Sequence, residues 1–396
     1  MLKAPWRAVR TAGPALGLLL YRLLLLAVLP YEAVTTYGDL RHFHQLAQLA
    51  TSGGGLPFIG HWIEFPPLFP FLSLGLNTLA GGMEHVYVYA LAALMACFDA
   101  ANLYLLGRIL THLQVGEEAQ ARVWCYFAFL ALPAIGWWTF EPLGVFWLLL
   151  TVVLVFESGP TSAGIAAGLG LLTKWLPGLG LLVAWTQWPR RRTVLAASIA
   201  VAVALLTWIP LLVFGGNAAW SSLRSQSAKP AWETPWALID GSLGTGTFGE
   251  ASARLMPLQP SATSSVIPRW LPFALAGVLG LVLAARLRRP SPRAGIAFLA
   301  VGLALLFLAS PGWSPQWLAY LVPVVLLCLP HPKGALYSIA LTSVAILEWP
   351  VLLSRGRFDL LWVTVALRTI VLIVLVADAW RTARGGSSAS RAVGSD

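Results

Sequence analysis

The stretch VLAASIAVAVALLTWIPLLVF, residues 194–214, decides the fold. It runs for 21 residues without a charged side chain and closely follows Arg190, Arg191 and Arg192. A helix of this length rises about 30 Å, which matches the hydrocarbon core of a bilayer. Because the arginine cluster flanks only one end, we predict a membrane-spanning helix whose arginine end faces the cytoplasm.

The composition of the whole chain agrees with this stretch. Apolar residues make up 58% of the 396 residues and charged residues only 11%, whereas soluble domains carry about 25% charge. Mean hydropathy is +0.75. These values exclude a soluble enzyme, a disordered chain and a disulfide scaffold. Cys97, Cys125 and Cys328 all lie in apolar runs, so we interpret them as buried small hydrophobic residues.

We therefore predict an all-α polytopic membrane protein, a single integral domain over 1–396 with about 12 transmembrane helices (11–13). The first apolar run follows Lys3, Arg7 and Arg10 without an A-x-A-like cleavage site, so we interpret it as an uncleaved anchor. The runs beside Lys174 are short and are expected to be tilted or half-buried. The predicted spans are 14–30, 85–108, 122–138, 141–157, 161–174, 176–188, 194–214, 269–286, 294–310, 317–330, 335–350 and 360–379.

The basic residues decide the sidedness. The run Leu68–Ala80 is ambiguous, and if it does not cross, 16 of the 26 Lys and Arg residues share the cytoplasmic side. The positive-inside rule therefore favours a segment lying on, or dipping into, the outer leaflet of the plasma (cytoplasmic) membrane, with both termini cytoplasmic. The 16 residues are Lys3, Arg7, Arg10, Arg108, Arg122, Arg190, Arg191, Arg192, Arg286, Arg288, Arg289, Arg293, Lys333, Arg381, Arg384 and Arg391.

With this assignment, the net charge of +10 reflects the basic residues that set the membrane orientation. We therefore expect membrane lipids rather than nucleic acid as partners. It also leaves two long outer loops, 31–84 and 215–268, to carry the function. In the first loop, Asp39 heads DLRHFHQLAQLA, whose apolar positions recur at helical spacing. We predict an amphipathic helix on the membrane surface, ended by TSGGG at 51–55. Asp39 is either an N-cap worth about 1 kcal/mol or a reactive carboxylate, and the sequence leaves both interpretations open.

Other polar residues lie within apolar runs, where burying them is costly, or beside prolines that hold them rigidly. Glu64 and His61 precede Pro66-Pro67, which stiffens the chain. Lys174 lies between two apolar runs and needs an anion, such as a lipid headgroup, or must reach the interface. Asp99 is predicted to contact Asn102 or Arg108, and Arg368 an acid or a lipid phosphate. Outer turns hold Glu141, in WWTFEPLG, and Trp313 with Gln316, in SPGWSPQW.

These pieces, in this order over most of 31–325, resemble the GT-C superfamily of integral-membrane glycosyltransferases, which use polyprenyl-phosphate sugars. Phe65-Pro66-Pro67-Leu68 is similar to that family's P-P-L step into an apolar segment. Leu172-Thr173-Lys174 resembles the L-T-K-G step of lipid-A aminoarabinose transferases, and SPGWSPQWLAYLVP, 310–323, resembles a segment of polyprenol-phosphate-mannose enzymes. Bacterial mannosyltransferases and the first GPI mannosyltransferase are the most similar in pattern. The chain departs from the family in having a single acid at Asp39 and Trp175 after Lys174.

The resemblance implies an inverting transfer of a sugar, mannose first, from a polyprenyl-phosphate sugar donor to a lipid or glycan acceptor on the outer face. Asp39 would be the general base. Lys174, and after it Arg41, Arg269 and Arg224, would bind the donor phosphate. Sugar and acceptor contacts would come from Glu64, His61, His42, Glu141, Trp313 and Gln316. The sequence shows no metal-ligand spacing and implies no cofactor, although a divalent metal stays an open alternative.

Two other functions compete with glycosyl transfer. A multi-span transporter or flippase of a lipid-linked sugar would suit twelve spans with both termini inside, but we find no internal repeat, and the charged candidates gather at one face. A non-catalytic assembly protein that keeps the architecture is the third interpretation, since Asp39 has no neighbouring acid.

Overall fold

A computed structural model describes residues 10–36, 38–132, 138–259, 265–287 and 291–385. Across these ranges the chain is helical with intervening turns, and they contain no β-strand. The α-helices of the described ranges are α1 Ala12–Val28, α2 Tyr31–Thr35, α3 Leu40–Leu49, α4 Leu68–Leu79, α5 Glu84–Leu113, α6 Glu118–Ala131, α7 Glu141–Glu157, α8 Pro160–Thr173, α9 Leu181–Gln187, α10 Arg190–Gly215, α11 Asn217–Ala228, α12 Pro235–Ile239, α13 Trp270–Ala285, α14 Pro292–Ala309, α15 Leu318–Cys328, α16 His331–Ile346 and α17 Leu361–Gly385.

Several helices are suited to a bilayer. Five stretches of the described chain are long and apolar enough to cross one: Glu84–Leu113, Arg190–Gly215, Pro292–Ala309, His331–Arg355 and Phe358–Gly385. Shorter apolar helices are Ala12–Val28, Leu68–Leu79, Trp270–Ala285 and Pro315–Cys328. The described chain is thus an all-helical protein with helices able to span a membrane.

The short spans predicted beside Lys174 form a broken helix. α8 has 14 residues, followed by a 3₁₀ helix, Leu176–Gly180, and the seven-residue α9. At 1.5 Å per residue α8 rises about 21 Å, less than the hydrocarbon thickness. The predicted span 141–157 coincides with α7. The predicted span 122–138 is described only in part, by α6, because 133–137 lie outside the described residues.

Several charged side chains lie near the ends of helices. Arg108 and His112 contact Glu157 at 2.5 and 2.8 Å, and Lys333 and Arg381 contact Asp378 at 2.7 and 3.0 Å. Arg108, Lys333 and Arg381 are among the predicted cytoplasmic cations, and His112 lies in the predicted connection that follows Arg108. Five of the 16 predicted cytoplasmic cations, Lys3, Arg7, Arg288, Arg289 and Arg391, lie outside the described residues.

The first outer loop leaves and re-enters the bundle at the same end. Tyr31, just after α1, donates a hydrogen bond of 2.5 Å to Glu84, the first residue of α5. The segment between them therefore makes no net crossing. Its apolar part, α4, has only 12 residues and rises about 18 Å. This geometry agrees with the prediction that Leu68–Ala80 does not cross.

The core centres on α15, all of whose residues are buried. Its last carbonyls accept hydrogen bonds from two arginines: Arg122 reaches Leu326 at 2.6 Å and Arg293 reaches Cys328 at 2.8 Å. Cations at a helix C-terminus satisfy its free carbonyls and complement its dipole. Of the three cysteines only Cys328 is buried, so the prediction was wrong for Cys97, which is exposed, and for half-buried Cys125. Apolar runs in a membrane protein face lipid as well as core.

Two predictions about charges inside spans have different outcomes. Asp99 does not contact Asn102 or Arg108; it forms a buried ion pair of 3.0 Å with Arg22 of α1. Asn102 instead donates to the Pro142 carbonyl at 2.9 Å. Periodicity along α5 could not show which neighbouring helix Asp99 faces. The prediction that Arg368 pairs with an acid is confirmed, because it contacts buried Glu348 at 2.5 Å.

Candidate functional site

The predicted surface helix is present as α3, which lies against the bundle on its apolar face. Leu40, Phe43, Leu46, Ala47 and Leu49 are buried, while Ala50 is half-buried. The helix ends at the glycine-rich stop, where Gly53 and Gly55 have φ angles of +94° and +70°, a region that favours glycine. This face fixes the orientation of Asp39 at the helix N-terminus.

Four phenylalanines form a cluster that includes Phe43, one helical turn after Asp39. Phe69 stacks on Phe140 with ring centroids 4.0 Å apart, and Phe43 meets both rings edge-on at 4.8 and 5.5 Å. Phe65 closes the cluster at 5.1 Å from Phe140. Stacked and edge-to-face pairs of this kind add stability beyond the apolar area they bury. The cluster therefore holds α3, the Pro66-Pro67 turn, α4 and the start of α7 in fixed positions.

Asp39 occupies the N-cap position of α3, but its side chain accepts no hydrogen bond from the helix. Its backbone amide donates to the Trp138 carbonyl at 2.9 Å, an approach that Gly38 permits because a Cβ there would overlap Trp138. Across the described chain, no residue donates a hydrogen bond to the carboxylate or forms an ion pair with it. The capping interpretation is thus not supported, and the carboxylate is left available.

The charges around Asp39 set its proton affinity. Burial and, after it, the nearby Glu141 raise the pKa of Asp39 to about 6, while His42, Lys174 and Lys229 act in the opposite direction. At neutral pH the group is mostly ionised, yet it binds a proton more strongly than an ordinary aspartate. This is the property that a general base requires.

Lys174 and Glu141, both predicted as site residues, form an ion pair with each other. Lys174 directly follows α8 and Glu141 begins α7. The ammonium also lies over three rings, Phe140 at 5.2 Å, Trp317 at 5.5 Å and Tyr320 at 6.0 Å. The anion that we predicted Lys174 would need is therefore supplied, in this structure, by Glu141.

Glu64 is held by two basic side chains from different parts of the chain. Arg254, in the second outer loop, contacts it at 2.7 and 3.3 Å, and His42 contacts it at 3.3 Å. Burial alone would raise the pKa of Glu64, but the hydrogen bonds and charges of His42 and Arg254 outweigh it and lower the pKa to about 2. Glu64 therefore stays ionised, orients the His42 ring and joins the two outer loops.

Two residues of this cluster were missed by the sequence analysis as site residues: Arg254 and Lys229. Arg254 is 1% exposed and Lys229 is 9% exposed, and both side chains lie against the Phe248 ring. Burial lowers the pKa of Lys229 to about 8, although Glu64 and Asp39 act to raise it. The only sequence signal was a lysine followed by Pro230 in a loop rich in tryptophan.

The other predicted phosphate-binding arginines are engaged elsewhere. Arg41 pairs with Glu84 at 3.0 Å and lies 5.0 Å from the Tyr31 ring. Arg224 is exposed and lies over Trp220 at 5.6 Å. Arg269 donates to the Ser227 carbonyl at 2.5 Å. None of the three is among the charges that act on Asp39, so we assign them no part in the chemistry below.

Of the predicted sugar-contacting residues, some are engaged in packing and one has a polar group without a partner. His61 is buried and its Nδ1 lies 3.3 Å from the Gly54 carbonyl, which suits a loop-stabilising role. Trp313 is 1% exposed, with the Arg368 guanidinium over its ring at 4.6 Å, so it packs the interior and has no free face for a sugar. Gln316 is half-buried and, within the described ranges, its amide has no hydrogen-bond partner. It adjoins Trp317, over whose ring Lys174 lies.

The cluster thus consists of Asp39, His42, Glu64, Glu141, Lys174, Lys229 and Arg254, with Gln316 at its edge. Among the residues that the structure describes, no group of three or more His, Cys, Asp or Glu side chains is arranged to hold a metal ion. Comparison of the chain with protein-family models and with curated proteins gave no match.

Proposed function

We propose that this protein is an inverting glycosyltransferase that moves a sugar, mannose first among the candidates, from a polyprenyl-phosphate donor to a hydroxyl of a lipid-linked or cell-envelope acceptor. The observation that carries the proposal is Asp39, an uncapped carboxylate with a pKa near 6 beside two lysines at the loop-bearing end of the helices. A base and cations in one place suit the transfer of a group away from phosphate.

The reaction needs one base and one stabilised leaving group. Asp39 takes the proton of the acceptor hydroxyl as its oxygen forms a bond to the anomeric carbon. The bond from that carbon to the phosphate oxygen breaks on the opposite face, and polyprenyl phosphate leaves with the bonding electron pair. The anomeric configuration is therefore inverted. Lysines near the departing phosphate stabilise the charge that develops on it.

His42 and Glu64 support the base in this scheme. His42 lies one helical turn after Asp39, so both side chains project from the same side of α3. Glu64 holds the Nε2 side of the ring at 3.3 Å, which leaves Nδ1 for a hydroxyl of the sugar or acceptor. Glu64 itself has both oxygens engaged by Arg254 and His42, so its role here is to position His42.

A lipid-linked donor accounts for the placement of the cluster. The cluster lies at the end of the helices where the long loops emerge, and we assign that end to the outer face of the plasma membrane. A polyprenyl chain can then stay among the lipid-facing helices while its phosphate reaches the lysines. The proposed topology has twelve membrane-spanning segments and places both termini in the cytoplasm.

The test is sugar transfer by the purified full-length protein in nanodiscs, with a panel of polyprenyl-phosphate sugars and membrane acceptors. We expect one donor to be used, inversion of its anomeric configuration by NMR, and a rate for Asp39→Asn reduced about 10²–10⁴-fold. Glu32→Gln, which changes an exposed acid of the same loop, is the matched control and should keep the rate. Full transfer by Asp39→Asn would refute Asp39 as the base. Movement of labelled donor across liposomes without a transferred product would favour the flippase alternative.

A further inference from the structure

Lys229 is a buried cation without an acid of its own. Its side chain is nine-tenths buried, and no residue in the described part of the chain forms a hydrogen bond or an ion pair with it. Its nitrogen lies 4.3 Å from the Phe248 ring centroid and 5.1 Å from that of Trp232. Aromatic faces attract the charge, but an ammonium also has three N–H donors that need acceptor atoms.

The neighbouring charges are already balanced in pairs. Lys174 is paired with Glu141, and Arg254 is paired with Glu64. Asp39 acts on Lys229 electrostatically but lies beyond ion-pair distance, since no ion pair joins them. An incoming anion would therefore find one cation in the cluster, Lys229, whose ammonium has no hydrogen-bond or ion-pair partner among the described residues.

The loop around Lys229 is rigidly attached to the turn that carries Gln316. The Trp232 amide donates to the Pro311 carbonyl at 3.0 Å, and the Trp313 amide donates back to the Trp232 carbonyl at 3.1 Å. The Trp232 ring lies so close to Gly246 and Gly312 that a Cβ at either position would overlap it. Lys229 is therefore held near the 310–317 turn, whose Trp317 lies beneath Lys174.

We propose that Lys229 is the residue that binds the phosphate of a lipid monophosphate at this site, whereas Lys174 chiefly holds Glu141 in place. The inference rests on the proposed function for the presence of a lipid phosphate, but the anion site itself can be tested without any sugar. Its pH dependence follows from the burial of Lys229, which lowers the pKa of the free ammonium to about 8. Lys229 is charged below that pH, so binding of the phosphate should weaken as the pH rises above 8.

The experiment measures binding of farnesyl phosphate to the full-length protein in detergent by isothermal titration calorimetry, with farnesol as the uncharged comparison. We expect Lys229→Met to weaken farnesyl phosphate binding roughly tenfold to a hundredfold, the worth of one or two charge-assisted hydrogen bonds, and to leave farnesol binding unchanged. Lys229→Arg should retain binding, and its affinity should stay constant between pH 7 and 9. Arg355→Met, which removes an exposed cation at the same end, is the control.

Each outcome decides the inference. Equal affinity of Lys229→Met and the wild type for farnesyl phosphate overturns it, and so does an equal loss of farnesol binding, which would indicate a packing role. Asp39→Asn removes a negative charge that acts on Lys229, so it should bind farnesyl phosphate at least as tightly as the wild type. If Asp39→Asn transfers sugar, the proposed function fails but the anion site stands. If Lys229→Met binds farnesyl phosphate normally while Asp39→Asn has lost transfer, the function stands and Lys229 is not the phosphate ligand.

Discussion

Asp39 stands where aspartate usually stabilises a helix, yet its side chain does not cap α3. A capping carboxylate contributes about 1 kcal/mol, and the ordinary result of such hydrogen bonds is a lowered pKa. Here burial and Glu141 raise the pKa instead. A buried carboxylate whose ionised form is disfavoured, and which makes no stabilising hydrogen bond to its helix, is characteristic of a functional residue.

The stability of Asp39→Asn follows from the direction of this shift. The pKa rises from 3.8 in the unfolded chain to about 6 in the folded protein, so the ionised form is the disfavoured one. Its cost is absent below about pH 4, grows through the interval between the two values, and is complete above about pH 6. We expect Asp39→Asn to melt at the same temperature as the wild type or higher at pH 8, and no higher than the wild type at pH 4. A melting temperature several degrees lower at pH 8 would show that Asp39 has a structural role.

The same pKa predicts the acid limb of the pH–rate profile. A base must be deprotonated to accept the hydroxyl proton, so the rate should rise with pH through about 6 and then level off. At pH 5 we expect about a tenth of the plateau rate, because roughly one molecule in eleven then has Asp39 ionised. The measurement is the initial rate of sugar transfer at donor concentrations well below KM between pH 4.5 and 7.5, because this rate reports the pKa of the free enzyme. A profile that is flat over this interval would exclude Asp39 as the proton acceptor.

At the scale of elements, the important contact is the one between the two outer loops. Arg254 reaches from the second loop to Glu64 of the first through Nε and Nη2. Its third nitrogen, Nη1, lies 3.3, 3.1 and 2.7 Å from the carbonyl oxygens of Phe248, Gly249 and Glu250, to which it donates. Both partners of the ion pair are buried. Removal of one partner leaves the other as an uncompensated buried charge, which is far more costly than the loss of an exposed pair.

We therefore expect Arg254→Ala to destabilise the folded protein by about 3 kcal/mol. The matched control is Arg357→Ala, because Arg357 and Asp359 form an ion pair of 2.9 Å in which both side chains are more than half exposed. This variant should have a much smaller effect, because solvent screens an exposed pair. Thermal unfolding in detergent, followed by intrinsic fluorescence, compares the two. Equal effects of both variants would show that Glu64 gains solvent or a new partner when Arg254 is lost.

Sequence patterns predicted the elements better than their contacts. Apolar runs and prolines located the helices and the surface helix α3, since each signal is local along the chain. The pairings Arg22–Asp99, Arg254–Glu64 and Lys174–Glu141 join residues 77, 190 and 33 positions apart, and no periodicity encodes which helices become neighbours. Asp39, Glu141 and Lys174 could therefore be named as candidates from the sequence. Lys229 could not, because its lack of an ion-pair partner among the described residues depends on how the chain folds.

At the scale of the whole molecule, the sidedness can be tested by cysteine accessibility. Exposed Cys97 and half-buried Cys125 would first be replaced by serine, and single cysteines then placed at exposed Ser52, Glu250 and Glu117. We expect a membrane-impermeant maleimide added to intact cells to label positions 52 and 250 but not 117, which should react only after permeabilisation. Labelling of position 117 from outside would reverse the orientation, and labelling of all three would contradict the separation of the two ends.

Contacts between residues far apart in the sequence also have a consequence for biogenesis. Asp39 leaves the ribosome early, but Lys174, Lys229 and Arg254 follow much later, and the loop that holds Lys229 also carries Glu233, whose backbone carbonyl accepts a hydrogen bond from Arg368. That arginine belongs to α17, the last helix described. In the proposed orientation, a nascent chain inserts its apolar segments one by one and exports Asp39 first, whereas the loop that carries Lys229 gains its hydrogen bond from Arg368 only after α17 has docked. Activity should consequently appear as a late, all-or-none event in synthesis, and not in proportion to the number of helices inserted.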